Sequence, residues 1–119
     1  MPITISNSSG DGLTSPRIDT DIELPDSGTS VTVVGVVQPA GGANVNLTGS
    51  PVAAPSPPAS GLTYWAIEAN LTTGALAVIQ SPSAPPAADA GCIIIFLQTL
   101  SPGQTNDTLA GSDSTPDTA

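Results

Sequence analysis

One stretch of the chain decides its fold: Arg17-Ile18-Asp19-Thr20-Asp21-Ile22-Glu23-Leu24. Its even-numbered positions carry apolar residues and a threonine, whereas its odd-numbered positions are all charged. Successive side chains of a β-strand point to opposite faces of a sheet, so this alternation predicts a strand with one buried face and one charged face. The segments around it repeat this pattern in weaker form and predict an all-β domain.

Short runs rich in β-branched residues recur along the chain, and proline or glycine bounds them, as is typical of strands. The 13 prolines and 12 glycines among 119 residues interrupt the chain often enough to exclude long helices. We predict strands at 3–6, 17–24, 30–37, 44–48, 62–69, 75–80 and 92–99.

Several local patterns add detail to these strands. The unbroken pair Val33-Val34 predicts burial on both faces, and Gly35 predicts a bulge or a close backbone approach. Pro25-Asp26-Ser27-Gly28 predicts a turn. Residues 70–74, which end in glycine, predict the loop of a hairpin. The run 92–99 is the most hydrophobic segment and predicts a central strand.

The distribution of proline and charge predicts the domain organisation. Residues 1–16 are expected to form an N-terminal arm, in which 7–16 is a flexible connection, and residues 17–100 a β domain. Proline-rich connectors at 49–60 and 81–88 interrupt that domain and are expected to act as extended arms or spacers. Residues 101–119 are expected to form a flexible acidic tail. We therefore predict a small β-sandwich or barrel-like domain with an extended N-terminal arm.

The composition argues against catalysis. The chain has no histidine, a single Lys or Arg residue (Arg17) and a single cysteine (Cys92). A serine nucleophile needs a base, which is missing here, and Cys92 opens an apolar run in which a buried side chain is expected. A glycosidase-like carboxylate pair would lack aromatic platforms for a sugar. We predict no catalytic residue and no cofactor, and thus a protein that is not an enzyme.

The net charge of −9 limits the partners that the chain can bind. An acidic protein repels phosphate, so nucleic acid and anionic membranes are excluded as expected partners. The N-terminus lacks the basic start and apolar run of a signal peptide, which predicts synthesis in a cytoplasm.

The charged face of 17–24 has three explanations. Asp19, Asp21 and Glu23 lie at alternate positions, roughly 7 Å apart on a strand. They form a solvated face that discourages edge-to-edge pairing, or they face a basic partner, or they bind a hard cation such as calcium. No metal site is assigned, but these carboxylates are the candidate ligands.

Candidate interface residues come from three places in the chain. The segment 1–24 is the expected arm that reaches neighbouring subunits. Tyr64 and Trp65 are adjacent on a strand, so one is expected in the core and the other at an interface. The run 93–97 is expected in the core or on the axis of a trimer. The assigned interface residues are Ile3, Ile5, Arg17, Ile18, Ile22, Tyr64, Trp65 and Phe96.

Residues 62–100 also carry a recognisable order of elements: Tyr64-Trp65-Ala66-Ile67-Glu68, then Thr72-Thr73-Gly74-Ala75-Leu76-Ala77-Val78-Ile79-Gln80-Ser81, then Pro85-Pro86, then Asp89-Ala90-Gly91-Cys92-Ile93. This succession of strand, Thr-Gly loop, strand, proline-rich link and apolar strand resembles a module of tailed-bacteriophage virion proteins. The resemblance implies a non-enzymatic, commonly trimeric protein whose proline-rich links run beside neighbouring subunits. It carries over no catalytic or cofactor residue.

These observations together predict a capsid decoration (cement) protein. It would be a homotrimer on the virion that binds the major capsid protein or another virion protein and stabilises the shell by non-covalent contacts. Deletion of residues 1–16 is expected to weaken attachment and leave the β domain folded. The alternatives are a tail-, neck- or fibre-associated structural module and a carbohydrate- or calcium-binding surface β domain.

Overall fold

The structure is a computed structural model that describes residues 3–24, 30–55 and 58–100. All regular elements in these ranges are β-strands, which confirms the predicted all-β class. The strands are β1 (Ile3–Ser9), β2 (Arg17–Leu24), β3 (Ser30–Gln38), β4 (Val45–Asn46), β5 (Val52–Ala53), β6 (Thr63–Asn70), β7 (Leu76–Ser81) and β8 (Cys92–Leu100).

The strands form two antiparallel sheets that pack face to face. The five-stranded sheet runs β1-β2-β3, and the short strands β4 and β5 both pair with β3, one near each of its ends. The three-stranded sheet has the order β7-β6-β8. Apolar side chains from both sheets form a single buried cluster, so the domain is a β-sandwich. The buried face and the charged face that the alternation predicts are therefore both present in the large sheet.

The alternation in 17–24 is realised in β2. Ile18, Ile22 and Leu24 are fully buried, whereas the charged residues between them are exposed. The same rule holds in β3, where Val33 is 2% exposed and Val34 is 54% exposed. The prediction that Val33-Val34 is buried on both faces is therefore wrong, because one face of this sheet meets solvent. The predicted close approach at Gly35 is confirmed, since φ is +134° and a Cβ would overlap the carbonyl oxygen of Asp19.

The predicted hairpin is present as β6 and β7. The Oδ1 atom of Asn70 accepts hydrogen bonds from the backbone N–H groups of Thr72 (2.8 Å) and Thr73 (2.9 Å). Gly74 ends the loop with a φ of +77°, and a Cβ there would overlap the carbonyl oxygen of Asn46. The local sequence thus determines this turn.

The most hydrophobic strand, β8, is not central in its sheet. It pairs with β6 alone among the described strands, and β6 occupies the centre. Residues 93–96 are nevertheless buried on both faces. A run of this hydrophobicity therefore indicates burial on both faces and not a central position.

A backbone bridge joins the two sheets at one side of the sandwich. Between β4 and β5 the chain leaves β3, and Thr48 donates its N–H to the carbonyl oxygen of Gly74 (2.9 Å) and accepts from the N–H of Leu76 (3.0 Å). Ser50 Oγ accepts a hydrogen bond from the N–H of Val33 at 2.9 Å, which anchors the segment between β4 and β5 to β3. The side of the sandwich at β4, β5 and β7 is therefore closed.

The first proline-rich connector lies on the domain in its described part, and the second is anchored to the domain just after its end. Within 49–60, β5 pairs with β3 and Ala54 is buried in the core. After 81–88, Asp89 donates its N–H to Glu68 Oε1 at 2.9 Å. Glu68 lies on the face of β6 opposite Trp65, so the end of this connector packs against the outer face of the small sheet.

Residues 3–9, which we expected in an N-terminal arm, form the outer strand of the large sheet. β1 pairs with β2 in a continuous antiparallel register from Ile3–Leu24 to Ser9–Ile18, and Ile5 packs against the core. The predicted turn at 25–28 and the predicted tail at 101–119 lie outside the described residues.

Candidate interaction surface

Half of the residues assigned to an interface by sequence belong to the core of this chain. The side chains of Ile18, Ile22, Trp65 and Phe96 are all 0% exposed. The Trp65 and Phe96 rings lie 5.4 Å apart between centroids, and the Trp65 indole N–H donates to Gln98 Oε1 at 3.0 Å. Because these side chains fill the space between the two sheets, they are not available to a partner at the surface.

The other assigned residues lie nearer the surface. Ile5 is half-buried and packs on the core, and Tyr64 is half-buried on the opposite side of β6 from Trp65. The backbone of Ile3 belongs to β1. The expected division of Tyr64 and Trp65 between two faces is thus present.

Arg17 has a structural role in this chain. Its Nε donates to Gln38 Oε1 (3.1 Å), one terminal nitrogen donates to Asn44 Oδ1 (3.0 Å) and the other to Asp19 Oδ2 (3.4 Å). Through these contacts the guanidinium joins the ends of β2 and β3 to the segment before β4. The only Lys or Arg residue of the chain is therefore engaged in the domain.

A second polar cluster organises the loop between β1 and β2. Asp11 Oδ1 accepts hydrogen bonds from the backbone N–H groups of Leu13 (2.8 Å), Thr14 (3.0 Å) and Ser15 (3.1 Å). These bonds favour the carboxylate and hold the pKa of Asp11 well below its usual range, the bond from Leu13 having the largest effect. The expected flexible connection is thus a hydrogen-bonded loop after Ser9.

The outer edge of β1 has no backbone partner among residues 3–24, 30–55 and 58–100. β1 spans seven residues and carries neither charge nor proline, and its register with β2 has no shift. The edge of β8, by contrast, has a bulge opposite Ile67/Glu68, and the carbonyl oxygen of Ile95 accepts a long hydrogen bond from Asn7 Nδ2 (3.5 Å). Strand edges are normally protected by charges, prolines or bulges, so β1 is an open pairing site.

Two parallel rows of exposed side chains lie beside this edge on the outer face of the large sheet. The acidic row consists of Asp19, Asp21 and Glu23 on β2, and the hydroxyl row consists of Ser8, Ser6 and Thr4 opposite them on β1. The hydroxyl row separates the acidic row from the free edge, and its side chains are small. The exposed face predicted from the alternation therefore lies next to an open strand edge.

The carboxylates of the acidic row do not gather into a cluster. Among the described residues, no group of three or more His, Cys, Asp or Glu side chains lies close enough together to hold a metal ion. Same-face positions of a strand are roughly 7 Å apart, so the three carboxylates follow β2 in a row. The calcium explanation of these residues stays a prediction. The described part of the chain also contains no helix that could cross a membrane.

Cys92 is half-buried at the start of β8 and is a poor nucleophile. Burial raises the pKa of its thiol, and the neighbouring Glu68 carboxylate raises it further by its charge and by a hydrogen bond. The thiolate is the reactive form, so this environment suppresses it at neutral pH.

The sequence analysis does not predict the open edge at β1. Its signal was present, because Ile3 and Ile5 are spaced like the apolar residues of β2 and predict a strand with a core-facing side. The flanking Gly10 and Asp11, which mark a hairpin loop to β2, lie in the segment expected to be a flexible connection.

No protein-family model, curated protein or solved structure matches this chain.

Proposed function

We propose that this chain is a virion structural protein, a capsid decoration (cement) protein that binds the outer shell and stabilises it by non-covalent contacts. The observation that carries the proposal is the open edge of β1, an uncharged strand of seven residues held on a folded sandwich. Strand addition at such an edge supplies main-chain hydrogen bonds to a partner. A folded sandwich with such an edge is suited to attachment to a neighbouring protein of a shell.

The chemistry of the described surface supports a binding role over a catalytic one. The chain has no histidine or lysine, its only arginine is engaged within the domain, and the environment of Cys92 suppresses its thiolate. The residues that most often serve as base, nucleophile or cation are therefore missing or engaged.

The carbohydrate-binding alternative receives little support from the aromatic residues. Trp65 and Phe96 are fully buried and Tyr64 is half-buried, so the chain's aromatic side chains do not form an exposed platform for a sugar ring. The tail-, neck- or fibre-associated module stays the second candidate, because an open edge would serve either position in a virion. The homotrimer is part of our proposal and is tested by the mass of the purified protein relative to 11.6 kDa.

The number of copies per particle tests this proposal. Virus particles released from the strain that carries the gene are purified, and the chain is quantified by mass spectrometry against the major capsid protein. A decoration protein is expected in a constant copy number per particle, close to the copy number of the major capsid protein or to that of its trimers. A few copies per particle would support the tail or neck module, and absence from particles would overturn the virion assignment.

A further inference from the structure

The open edge and the acidic row together indicate the chemistry of the element that pairs with β1. We propose that β1 receives an extended segment of another protein that carries Lys or Arg at alternate positions, in the pattern basic-x-basic-x-basic. This inference deepens the proposed function, because it names the chemistry of the partner at the same edge.

The geometry places the basic side chains of such a segment within reach of the acidic row. Strands of a sheet lie about 4.8 Å apart, so an added strand would lie roughly 10 Å from β2, with β1 between them. The intervening side chains on the outer face are Thr4, Ser6 and Ser8, which are short and exposed. Long basic side chains can extend along such a surface and keep their charged ends in contact with carboxylates and water.

The register matches every second residue of the added strand to an acidic position. Thr4 pairs with Glu23, Ser6 with Asp21 and Ser8 with Asp19. Side chains that point to one face of the added strand recur with the same spacing of roughly 7 Å. A segment with basic residues at alternate positions therefore presents its charges in register with the acidic row.

Among the described residues, two of these carboxylates have no Lys or Arg partner. Arg17 contacts Asp19 and is held at that end of the sheet by Gln38 and Asn44. The chain contains no other Lys or Arg residue, so Asp21 and Glu23 can find one only in another molecule. Like charges along a strand are unfavourable, and an added basic strand would relieve this repulsion.

The scarcity of basic residues also argues against a second copy of this chain as the preferred partner of the β1 edge. A copy would bring no lysine and a single arginine that its own domain already uses, together with a net charge of −9. Main-chain pairing of β1 with another β1 would thus satisfy hydrogen bonds and add further negative charge. Electrostatic complementarity favours a different, basic protein.

Synthetic peptides test the proposal without a known partner. The probe has the length of β1, seven residues, and alternates Lys with Thr. Comparison peptides carry Glu in place of Lys, or N-methyl groups on all backbone amides. Binding to the full chain is measured by NMR titration, and hydrogen exchange reports protection of the β1 amides.

The expected result is binding of the Lys peptide with slowed exchange in β1, and no binding of the two comparison peptides. Asp21→Asn is expected to weaken binding about two- to fivefold, and the combined Asp19→Asn, Asp21→Asn and Glu23→Gln variant about tenfold or more. Raised salt is expected to weaken binding of the Lys peptide to the wild-type chain as well.

A pair of matched lysine substitutions separates this geometry from general charge attraction. Ser6 and Val34 flank Asp21 from β1 and β3, and both are exposed. Ser6→Lys blocks the path from the free edge and is expected to weaken peptide binding at least about threefold more than Val34→Lys. Equal weakening by the two variants, equal binding of the Glu or N-methylated peptide, or no binding of the Lys peptide would overturn the inference. None of these results would alter the copy number on particles, so the proposed function is judged separately.

Discussion

At the scale of single residues, a buried polar pair gives the core its specificity. Trp65 and Gln98 are both 0% exposed, lie opposite each other on β6 and β8, and are joined by the hydrogen bond from the indole N–H. A buried donor that loses its acceptor retains its desolvation cost. The contact therefore favours the observed register of β6 and β8 over a shifted one.

Gln98→Leu is expected to lower the free energy of unfolding by about 1–3 kcal/mol, because it leaves the Trp65 indole N–H without its acceptor. Urea denaturation followed by circular dichroism measures the change. In a Trp65→Phe background the same substitution should cost less, since the indole donor is gone. Equal costs in both backgrounds would show that the hydrogen bond does not account for the effect.

Asp11 gives the domain a pH-dependent stability. The hydrogen bonds that it accepts lower its pKa in the folded state below the unfolded value of about 3.9. Its contribution is therefore fully present above about pH 4 and is lost as the pH falls through the lower folded pKa.

Asp11→Ala is expected to lower the melting temperature at pH 7, and to lower it progressively less as the pH falls from about 4 to 2, where the contribution of the wild-type carboxylate is being lost. Thermal denaturation between these pH values measures the difference. Asp11→Asn, which keeps one oxygen acceptor without the charge, is the control and should fall between the two. A difference between wild type and Asp11→Ala that does not vary with pH would contradict the assigned cause.

At the scale of elements, the second proline-rich connector is held against the small sheet by one carboxylate. Glu68 is 4% exposed, and it accepts from the N–H of Asp89 and contacts the Cys92 thiol. The burial of Ala66 and Ile94 on the same face of the sheet shows that this face is covered as well. The end of the connector thus lies on the outer face of the small sheet at Glu68.

Glu68→Ala is expected to loosen this connector and to speed the alkylation of Cys92 several-fold, because the thiol gains solvent and loses a neighbouring negative charge. Iodoacetamide labelling at neutral pH, on protein whose NMR spectrum is dispersed, measures the rate. Glu68→Gln keeps an oxygen for the Asp89 N–H and should have a smaller effect. A rate equal to that of the wild type in the alanine variant would show that Glu68 does not control access to Cys92.

The elements that sequence predicts well are those with local causes. The alternation in β2, the hairpin of β6 and β7, and the close approach at Gly35 each depend on residues near one another in the chain. The edge position of β8 and the closure of the sandwich depend on pairings between distant residues. The Asn7–Ile95 contact, for example, joins residues 88 apart, and no periodicity in a single sequence encodes it.

The sequence likewise predicts one feature of the candidate surface and not the other. The exposure of Asp19, Asp21 and Glu23 follows from the alternation alone. Their position beside an open edge required the pairing of β1 with β2, which converts the expected arm into a strand. Removal of residues 1–16 would take this strand from the sheet and Ile5 from the core. We therefore now expect such a deletion to destabilise the domain, so substitutions on the outer face of β1 are the better test of binding.

At the scale of the whole molecule, the sandwich is asymmetric in its edges. The side at β4, β5 and β7 is closed by the Thr48 bridge, whereas β1 ends the large sheet without a backbone partner in the described part of the chain. One side thus provides rigidity and the other is open to an added strand. This asymmetry connects the fold to the proposed role on a capsid.

The most direct test of this account is a high-resolution cryo-electron microscopy map of virus particles that carry the protein. We predict that the map shows a strand of another virion protein about 4.8 Å from β1, in main-chain hydrogen-bonding register with it. We also predict basic side chains of that strand over Thr4, Ser6 and Ser8. A particle-bound protein whose β1 edge faces solvent, or a particle without the protein, would contradict the account.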